Sequence, residues 1–344
     1  MVSRSCLFIK DIQFAVLVSC LVGLCAASPS DGCTNYDQPP LKPGSPSYHF
    51  SFNSSQGGGE RHVLLNVPRA YRHGVPVPLI LAFHGKHQTP KDFEYQTQLS
   101  NPEFVEDAVV VYPEGVNAQW TGDPTAPLTS EIDDVQMVVD LLDHLLENLC
   151  VDTARIHAYG FSNGGGLVDL LACDPSTSQR FASFAATSPA VYKDVALREP
   201  LFSTCPSAIG KATPMLWFFG TKDPVIDIGG KDTPDGETYP VEQRMKGWAG
   251  RNGCDIDRPK VMSLHDGRVE WTKWSGQRYG RDVVQLYKVK GWGHGVANSW
   301  SMDNDYQRYG PTPFDGTSII MDFFKAWPAG AMGEPYDRHE RDEL

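Results

Sequence analysis

Between residues 155 and 172 an apolar strand pattern, Arg155–Tyr159, runs straight into Gly160-Phe161-Ser162-Asn163-Gly164, and a helical apolar pattern, Gly165–Ala172, follows at once. Few backbones accommodate that sequence. A strand that turns into a helix within five residues brings the two elements into contact, so a side chain at position 160 or 164 would collide with the crossing and glycine is needed at both. The serine between them is forced into a strained conformation. Its hydroxyl projects above the end of a sheet at a helix N-terminus, where backbone N–H groups meet developing negative charge. The bare five-residue pattern arises by chance in roughly one chain in ten of this length. The strand before and the helix after remove most such accidents, which makes Ser162 the candidate nucleophile.

The rest of the chain supplies the sheet. Apolar runs of strand length recur at Tyr48–Phe52, Arg61–Val67, Leu79–Phe83, Ala108–Tyr112, Arg155–Tyr159, Met215–Phe219 and Val283–Val289. The middle ones are apolar throughout rather than alternating, as expected of parallel strands covered on both faces. Glu131–Leu149 carries Ile132, Val135, Val138, Val139, Leu142, Leu145 and Leu146 on one helical stripe, with Ser130 and Asp133 as a capping pair. Further helices are expected over Val241–Gly250 and Thr317–Ala326. Strands alternating with helices predict a mostly parallel central sheet with helices on both faces. The short turn Gly57-Gly58-Gly59 predicts an antiparallel hairpin at the N-terminal edge. With the serine turn, this is the pattern of the α/β-hydrolase fold, expected as one domain over residues 28–328. The Gly/Asp/Pro-rich stretch Lys222–Thr238 is expected to cross the top of the sheet.

A serine nucleophile needs a base, and the base an orienting carboxylate; in this fold they follow in the order serine, acid, histidine. Three histidines follow Ser162. His339 is in the tail, and His265 lies in a turn-like stretch before the last strand. His294, in Gly291-Trp292-Gly293-His294-Gly295, comes directly after that strand, where the base belongs. Asp223 leaves the strand Met215–Phe219 at the same edge and is preferred as the acid over Asp227, four residues on. The oxyanion donors are expected to be the backbone N–H groups of Asn163 and of Gly85 or Lys86, in the loop after Leu79–Phe83. His84 reads as a turn-stabilising residue with no part in proton transfer. No His/Cys/Glu spacing suggests a metal site, and no cofactor is expected.

The 344 residues include 30 Lys and Arg against 42 Asp and Glu, a formal charge of −12. So acidic a surface repels phosphate backbones and argues against nucleic-acid binding. A basic start (Arg4, Lys10), an apolar stretch from Phe14 to Leu24 and Cys25-Ala26-Ala27 describe a secretory leader over residues 1–27. The apolar run is shorter than the roughly 20 residues that span a bilayer, so no stable membrane insertion is expected. The protein is therefore expected to be secreted. The polar tail, residues 329–344, ends Arg341-Asp342-Glu343-Leu344, one residue from the tetrapeptide read by the receptor that retains proteins in the endoplasmic reticulum. Retention in that lumen is the alternative address. Five cysteines remain after the leader, Cys33, Cys150, Cys173, Cys205 and Cys254, so at most two bridges form within the chain. Asn53-Ser54-Ser55 is a glycosylation sequon beside the glycine-rich turn.

These residues resemble the fungal feruloyl esterases of the C/D type, relatives of polyhydroxybutyrate-depolymerase-like esterases. The likeness runs from about Cys33 to Phe324. It is carried by Leu-Ile-Leu-Ala-Phe-His-Gly (79–85), Val-Tyr-Pro-Glu-Gly (111–115), Asp133-Asp134, Leu149-Cys150-Val151-Asp152, Gly-Phe-Ser-Asn-Gly-Gly-Gly (160–166), Leu171-Ala172-Cys173-Asp174-Pro175, Phe-Gly-Thr-Lys-Asp-Pro-Val-Ile (219–226), Trp-Ala-Gly-Arg-Asn-Gly-Cys (248–254) and Gly-Trp-Gly-His (291–294). The resemblance implies a serine esterase of Ser162, Asp223 and His294 that releases ferulic acid from arabinose or galactose residues of plant cell-wall polysaccharide. It also implies bridges Cys33–Cys150 and Cys173–Cys205, with Cys254 free. The sequence departs from the group at two places. A Trp-Pro pair is usual soon after the catalytic histidine, whereas here His294 is followed by Gly295-Val296-Ala297-Asn298. A cysteine is usual near Trp274-Ser275-Gly276, where this chain has none. A planar aromatic acyl group calls for an aromatic slot, for which Trp120, Tyr192 and Trp292 are the candidates. The rival expectations are an esterase of short polyesters, acetylated xylan or simple acyl esters, a peptidase, and a non-catalytic binding protein on the same fold.

Overall fold

The computed structural model describes residues 28–35, 41–55, 58–126, 132–193, 205, 211–233, 236–276, 278–299 and 311–329. The expected leader, Gly57, Ser130, Glu131 and the tail from residue 330 with its terminal tetrapeptide lie outside the described residues.

Twelve strands are found among them: β1 (Tyr48–Ser54), β2 (Gly59–Asn66), β3 (Val77–Phe83), β4 (Val109–Pro113), β5 (Val151–Phe161), β6 (Ser183–Thr187), β7 (Met215–Gly220), β8 (Asp232–Thr233), β9 (Gly236–Glu237), β10 (Lys260–Leu264), β11 (Val269–Gly276) and β12 (Arg281–Val289). Ten of these form one sheet in the order β1-β2-β4-β3-β5-β6-β7-β12-β11-β10, and β8 and β9 pair separately. The run from β4 through β3, β5, β6 and β7 to β12 is parallel. Both flanks are antiparallel, the predicted hairpin β1–β2 on one side and β10–β11–β12 on the other. The uninterrupted apolar strands sit in the middle: Leu79 to Phe83, Val109 to Val111 and Met215, Leu216, Phe218 and Phe219 are fully buried, because helices cover both faces.

The helices are α1 (Pro90–Thr97), α2 (Asp134–Asn148), α3 (Asn163–Cys173), the single turn α4 (Pro175–Ser178), α5 (Val241–Arg251) and α6 (Gly316–Ala326). Helix α2 starts three residues later than the predicted Glu131, because Asp133 is itself the N-cap. Its carboxylate accepts the N–H groups of Val135 and Gln136 at 3.0 Å each. Replacing Asp133 by Ala removes both acceptors and is expected to cost about 1 kcal/mol, read as a lowered urea midpoint; an unchanged midpoint would contradict the assignment.

Cys33 is bridged to Cys150 and Cys173 to Cys205, while Cys254 is free and buried. The Cys254 backbone bridges to Gly276 and its Sγ lies 3.7 Å from the Trp274 carbonyl oxygen, against the segment that holds no second cysteine. Burial pushes its thiol up to about 12, with the Asp282 carboxylate adding to the shift, so it stays protonated and unreactive. Asn53 of the sequon is exposed on edge strand β1. Among the described residues no helix is long and apolar enough to cross a membrane.

Candidate active site

The strand–turn–helix segment around Ser162 behaves as its glycines require. Strand β5 ends at Phe161 and α3 begins at Asn163, with Ser162 between them at φ 52°, ψ −119°. A Cβ on Gly160 would lie 2.2 Å from the Gly164 carbonyl oxygen, and one on Gly164 2.2 Å from that of Phe83, so neither position tolerates a side chain. The neighbouring strand holds the turn from below, where Ser162 N–H donates to the Thr187 carbonyl at 3.0 Å.

Asp223 and His294 arrive from loops two and three strands further along the same edge. Asp223 follows β7 and His294 follows β12, and these strands are parallel neighbours. The two loops are stitched together: Lys222 N–H donates to the Trp292 carbonyl at 2.9 Å, and Gly291 N–H to Thr221 Oγ1 at 2.9 Å. Ser162 Oγ lies 2.9 Å from His294 Nε2, and His294 Nδ1 lies 2.8 Å from Asp223 Oδ2. The carboxylate accepts, so Nδ1 carries the proton and Nε2 faces the hydroxyl as an acceptor. The other carboxylate oxygen, Oδ1, accepts from Val225 N and Ile226 N at 2.9 Å each, which fixes the acid's rotamer. All three side chains are at least 90% buried, yet each sits at the rim of the sheet.

The competitors lie elsewhere. Asp227 is exposed and closes a local turn through Gly229 N–H at 2.7 Å. His265 sits in the β10–β11 hairpin at φ 51°, its ring 5.8 Å from that of Phe314. Of the oxyanion candidates, Asn163 begins α3, whose first N–H groups have no partner within the helix. Gly85 N–H is engaged, donating to Gln88 Oε1 at 2.9 Å, which leaves Lys86 as the candidate in that loop. Lys86 holds its own side chain against Asp123 Oδ2 at 3.2 Å and Thr125 Oγ1 at 2.6 Å. Among the described residues no group of three or more His, Cys, Asp or Glu could hold a metal ion.

The fold has known counterparts. The acetyl xylan esterase from Aspergillus awamori superposes with a TM-score of 0.53 at 15% identity, covering 81% of this chain and 99% of that one. The fold is the α/β-hydrolase fold. Within the hydrolase fold the sequence relatives are more specific. Feruloyl esterase D of Neurospora crassa is 24% identical over 304 residues, 84% of this chain and 90% of that protein. Feruloyl esterase B of Piromyces equi is 26% identical over 203 residues, and the match spans 36% of that longer protein. No protein-family model matches the sequence.

The three aromatic slot candidates are all buried. Trp120 is fully buried, its indole N–H donating to the His84 carbonyl at 2.8 Å, while Tyr192 and Trp292 are 4% and 5% exposed. Trp120 is therefore scaffold beneath the loop after β3 rather than a slot wall. The aromatic ring that does face the histidine is Phe161, 5.0 Å from the His294 ring. Its place immediately before Ser162 was the signal for it in the sequence.

The hydrolase loops also rest on residues that no motif marked. Asn298 Nδ2 donates to the Gln96 carbonyl at 2.7 Å, tying the histidine loop to the end of α1. Gln88 Nε2 donates to Gln96 Oε1 at 3.1 Å, tying the β3 loop to the same residue.

Proposed function

We propose that the protein is a secreted serine carboxylic-ester hydrolase that cleaves feruloyl esters of plant cell-wall polysaccharide. The observation that carries the chemistry is the chain of contacts from Ser162 Oγ through the His294 ring to Asp223, at 2.9 and 2.8 Å. An imidazole held between a hydroxyl and a buried carboxylate can take the hydroxyl proton and bear the resulting charge. In the proposed cycle His294 takes the Ser162 proton, and Ser162 attacks the ester carbonyl. The oxyanion docks on the N–H groups of Asn163 and Lys86. The alcohol leaves with the proton from His294, and water repeats the sequence on the acyl-enzyme.

The choice of acid rests on the relatives named feruloyl esterase, and that of the alcohol on the family resemblance of the sequence motifs. Secretion is supported by the leader pattern of residues 1–27. The terminal Arg-Asp-Glu-Leu supports retention by a lumenal receptor as the other address, and adding residues after Leu344 separates the two: unchanged secretion would end the retention reading.

The test of the substrate is a panel on purified protein, with methyl ferulate, methyl cinnamates of other substitution, acetylated xylan and 4-nitrophenyl acetate. The expected result is the highest kcat/KM for the feruloyl ester, by at least ~10-fold, the scale on which a few apolar contacts discriminate. A preference for acetyl esters by that margin would replace feruloyl esterase with acetyl esterase and leave the mechanism standing.

A further inference from the structure

The two halves of the oxyanion site come from chain segments more than 70 residues apart, yet one hydrogen-bonded path joins them. On the nucleophile side, the Asn163 side chain grips the Trp120 backbone in both directions: Oδ1 accepts Trp120 N–H at 2.7 Å, and Nδ2 donates to the Trp120 carbonyl at 3.1 Å. Trp120 then reaches the other half, its indole N–H donating to the His84 carbonyl at 2.8 Å. His84 completes the path through its ring. Nδ1 faces the Gly85 carbonyl at 2.8 Å and must be the donor, and Nε2 accepts Gly115 N–H at 3.0 Å. The tautomer is thus fixed by its partners, with no spare proton site.

The path is anchored rather than floating. Thr121 N–H donates to Asp134 Oδ2 at 2.7 Å, and Asp134 Oδ1 pairs with the buried Arg61 guanidinium at 2.9 Å. The Trp120 ring packs edge-on to Phe83 and tilted on His84, at 5.5 and 4.9 Å. The backbone around it is held in conformations that L residues rarely adopt, at His87, Asn117 and Ala118, and His87 N–H is bonded to the Ala118 carbonyl at 2.8 Å. Such strain persists only where the surroundings over-determine it, and it concentrates at working sites.

We propose that the Asn163 side chain, Trp120 and His84 form a bracket that sets the spacing between the two oxyanion donors, and that all three are positioning residues for the ester cleavage proposed above. Asn163 would then act twice, through its N–H on the oxyanion and through its carboxamide on the bracket. The inference rests on the esterase reading. It explains why Trp120, a fully buried aromatic residue, lies between the two donors instead of at the surface.

Trp120→Phe is the decisive variant, because it keeps an aromatic ring at the site and removes the indole donor, and the kcat-against-KM split separates that loss from the small cavity left behind. Asn163→Ala and His84→Asn are the companions. Each is assayed on 4-nitrophenyl acetate and methyl ferulate, and each is titrated with phenyl trifluoromethyl ketone, whose serine adduct carries the oxyanion. A donor misplaced by about an ångström costs up to ~100-fold, so kcat should fall 10- to 100-fold in Trp120→Phe with KM within about twofold. Affinity for the ketone should fall by the same factor as kcat/KM, and affinity for ferulate, a ground-state ligand, should not move. A residue that merely supports the fold would lower the urea midpoint without this split. Parent-like kcat in folded Trp120→Phe, or a loss confined to KM, overturns the bracket. Parent protein inactive on every ester would instead overturn the esterase reading.

Discussion

Ser162→Ala is expected to lower kcat for ester cleavage roughly a millionfold, the loss seen when the nucleophile of a serine triad is deleted, with the fold intact. Ser162 makes its structural bonds through the backbone, to Thr187, Ala190 and Gly166, and its hydroxyl serves only His294. What remains is the slow background that binding and the oxyanion site supply once the nucleophile is gone. Ser162→Gly should abolish turnover equally but raise stability. At φ 52°, ψ −119° a residue with a Cβ is strained, at a cost of about 1–3 kcal/mol, and glycine relieves it. Urea unfolding of the two variants should therefore differ by about 1 kcal/mol or more in favour of glycine. Near-normal turnover by Ser162→Ala would refute the nucleophile, and equal midpoints for the two variants would refute the strain.

The second large effect is loss of stability in acid. Two histidines are buried as neutral rings. Burial lowers His84 from 6.5 to about 4, against the opposing pull of the Gly85 carbonyl and of Asp92 and Asp134, with Arg61 adding to the depression. Burial likewise lowers His157 to about 3; nearby Arg155 deepens the shift and Asp152 opposes it. His157 is stacked on Phe324 at 4.5 Å, with Nδ1 2.8 Å from Ser183 Oγ. A depressed folded-state value means that the unfolded chain takes up the proton first. The stabilisation is whole above pH 6.5 and is lost as pH falls through 6.5 towards 4 and 3. Each unit of pH below 6.5 removes about 1.4 kcal/mol per ring, so two rings remove about 5 kcal/mol by pH 4.5. That is a large part of a typical total of about 5–15 kcal/mol. Urea midpoints at pH 7 and pH 4.5 measure it, and a midpoint that does not move would mean that one or both rings are charged or solvated in the native state.

How much of this was readable in advance depended on the distance over which each feature is specified. The central strands were legible because burial on both faces leaves runs such as Leu79–Phe83 without a polar interruption. Strand β6 was missed because Ser183-Phe184-Ala185-Ala186-Thr187 is short and made of small residues, although it is fully buried between β5 and β7. β10 and β11 were missed because β10 is a short, largely exposed run and β11 begins with the polar–apolar alternation Val269-Glu270-Trp271-Thr272 rather than an unbroken apolar stretch. Helix α1 did announce itself: Thr89, Pro90 and Asp92 form a capping box with proline at its start, a signal that went unread. At the site, Ser162, Asp223 and His294 could be chosen because fold order and strand ends limit the options. The bracket could not, because its bonds join residues 31 to 43 positions apart, His84 to Gly115 and Asn163 to Trp120, and nothing local in one sequence pairs them.

The order of Ser162, Asp223 and His294 along the chain also governs when the proposed chemistry becomes available. The ribosome delivers the hydroxyl first and the imidazole 132 residues later, at ~5–20 residues per second. For that interval the nascent polypeptide holds an ordinary, unactivated alcohol. On the proposed mechanism, reactivity switches on only when the twelfth strand closes beside the seventh.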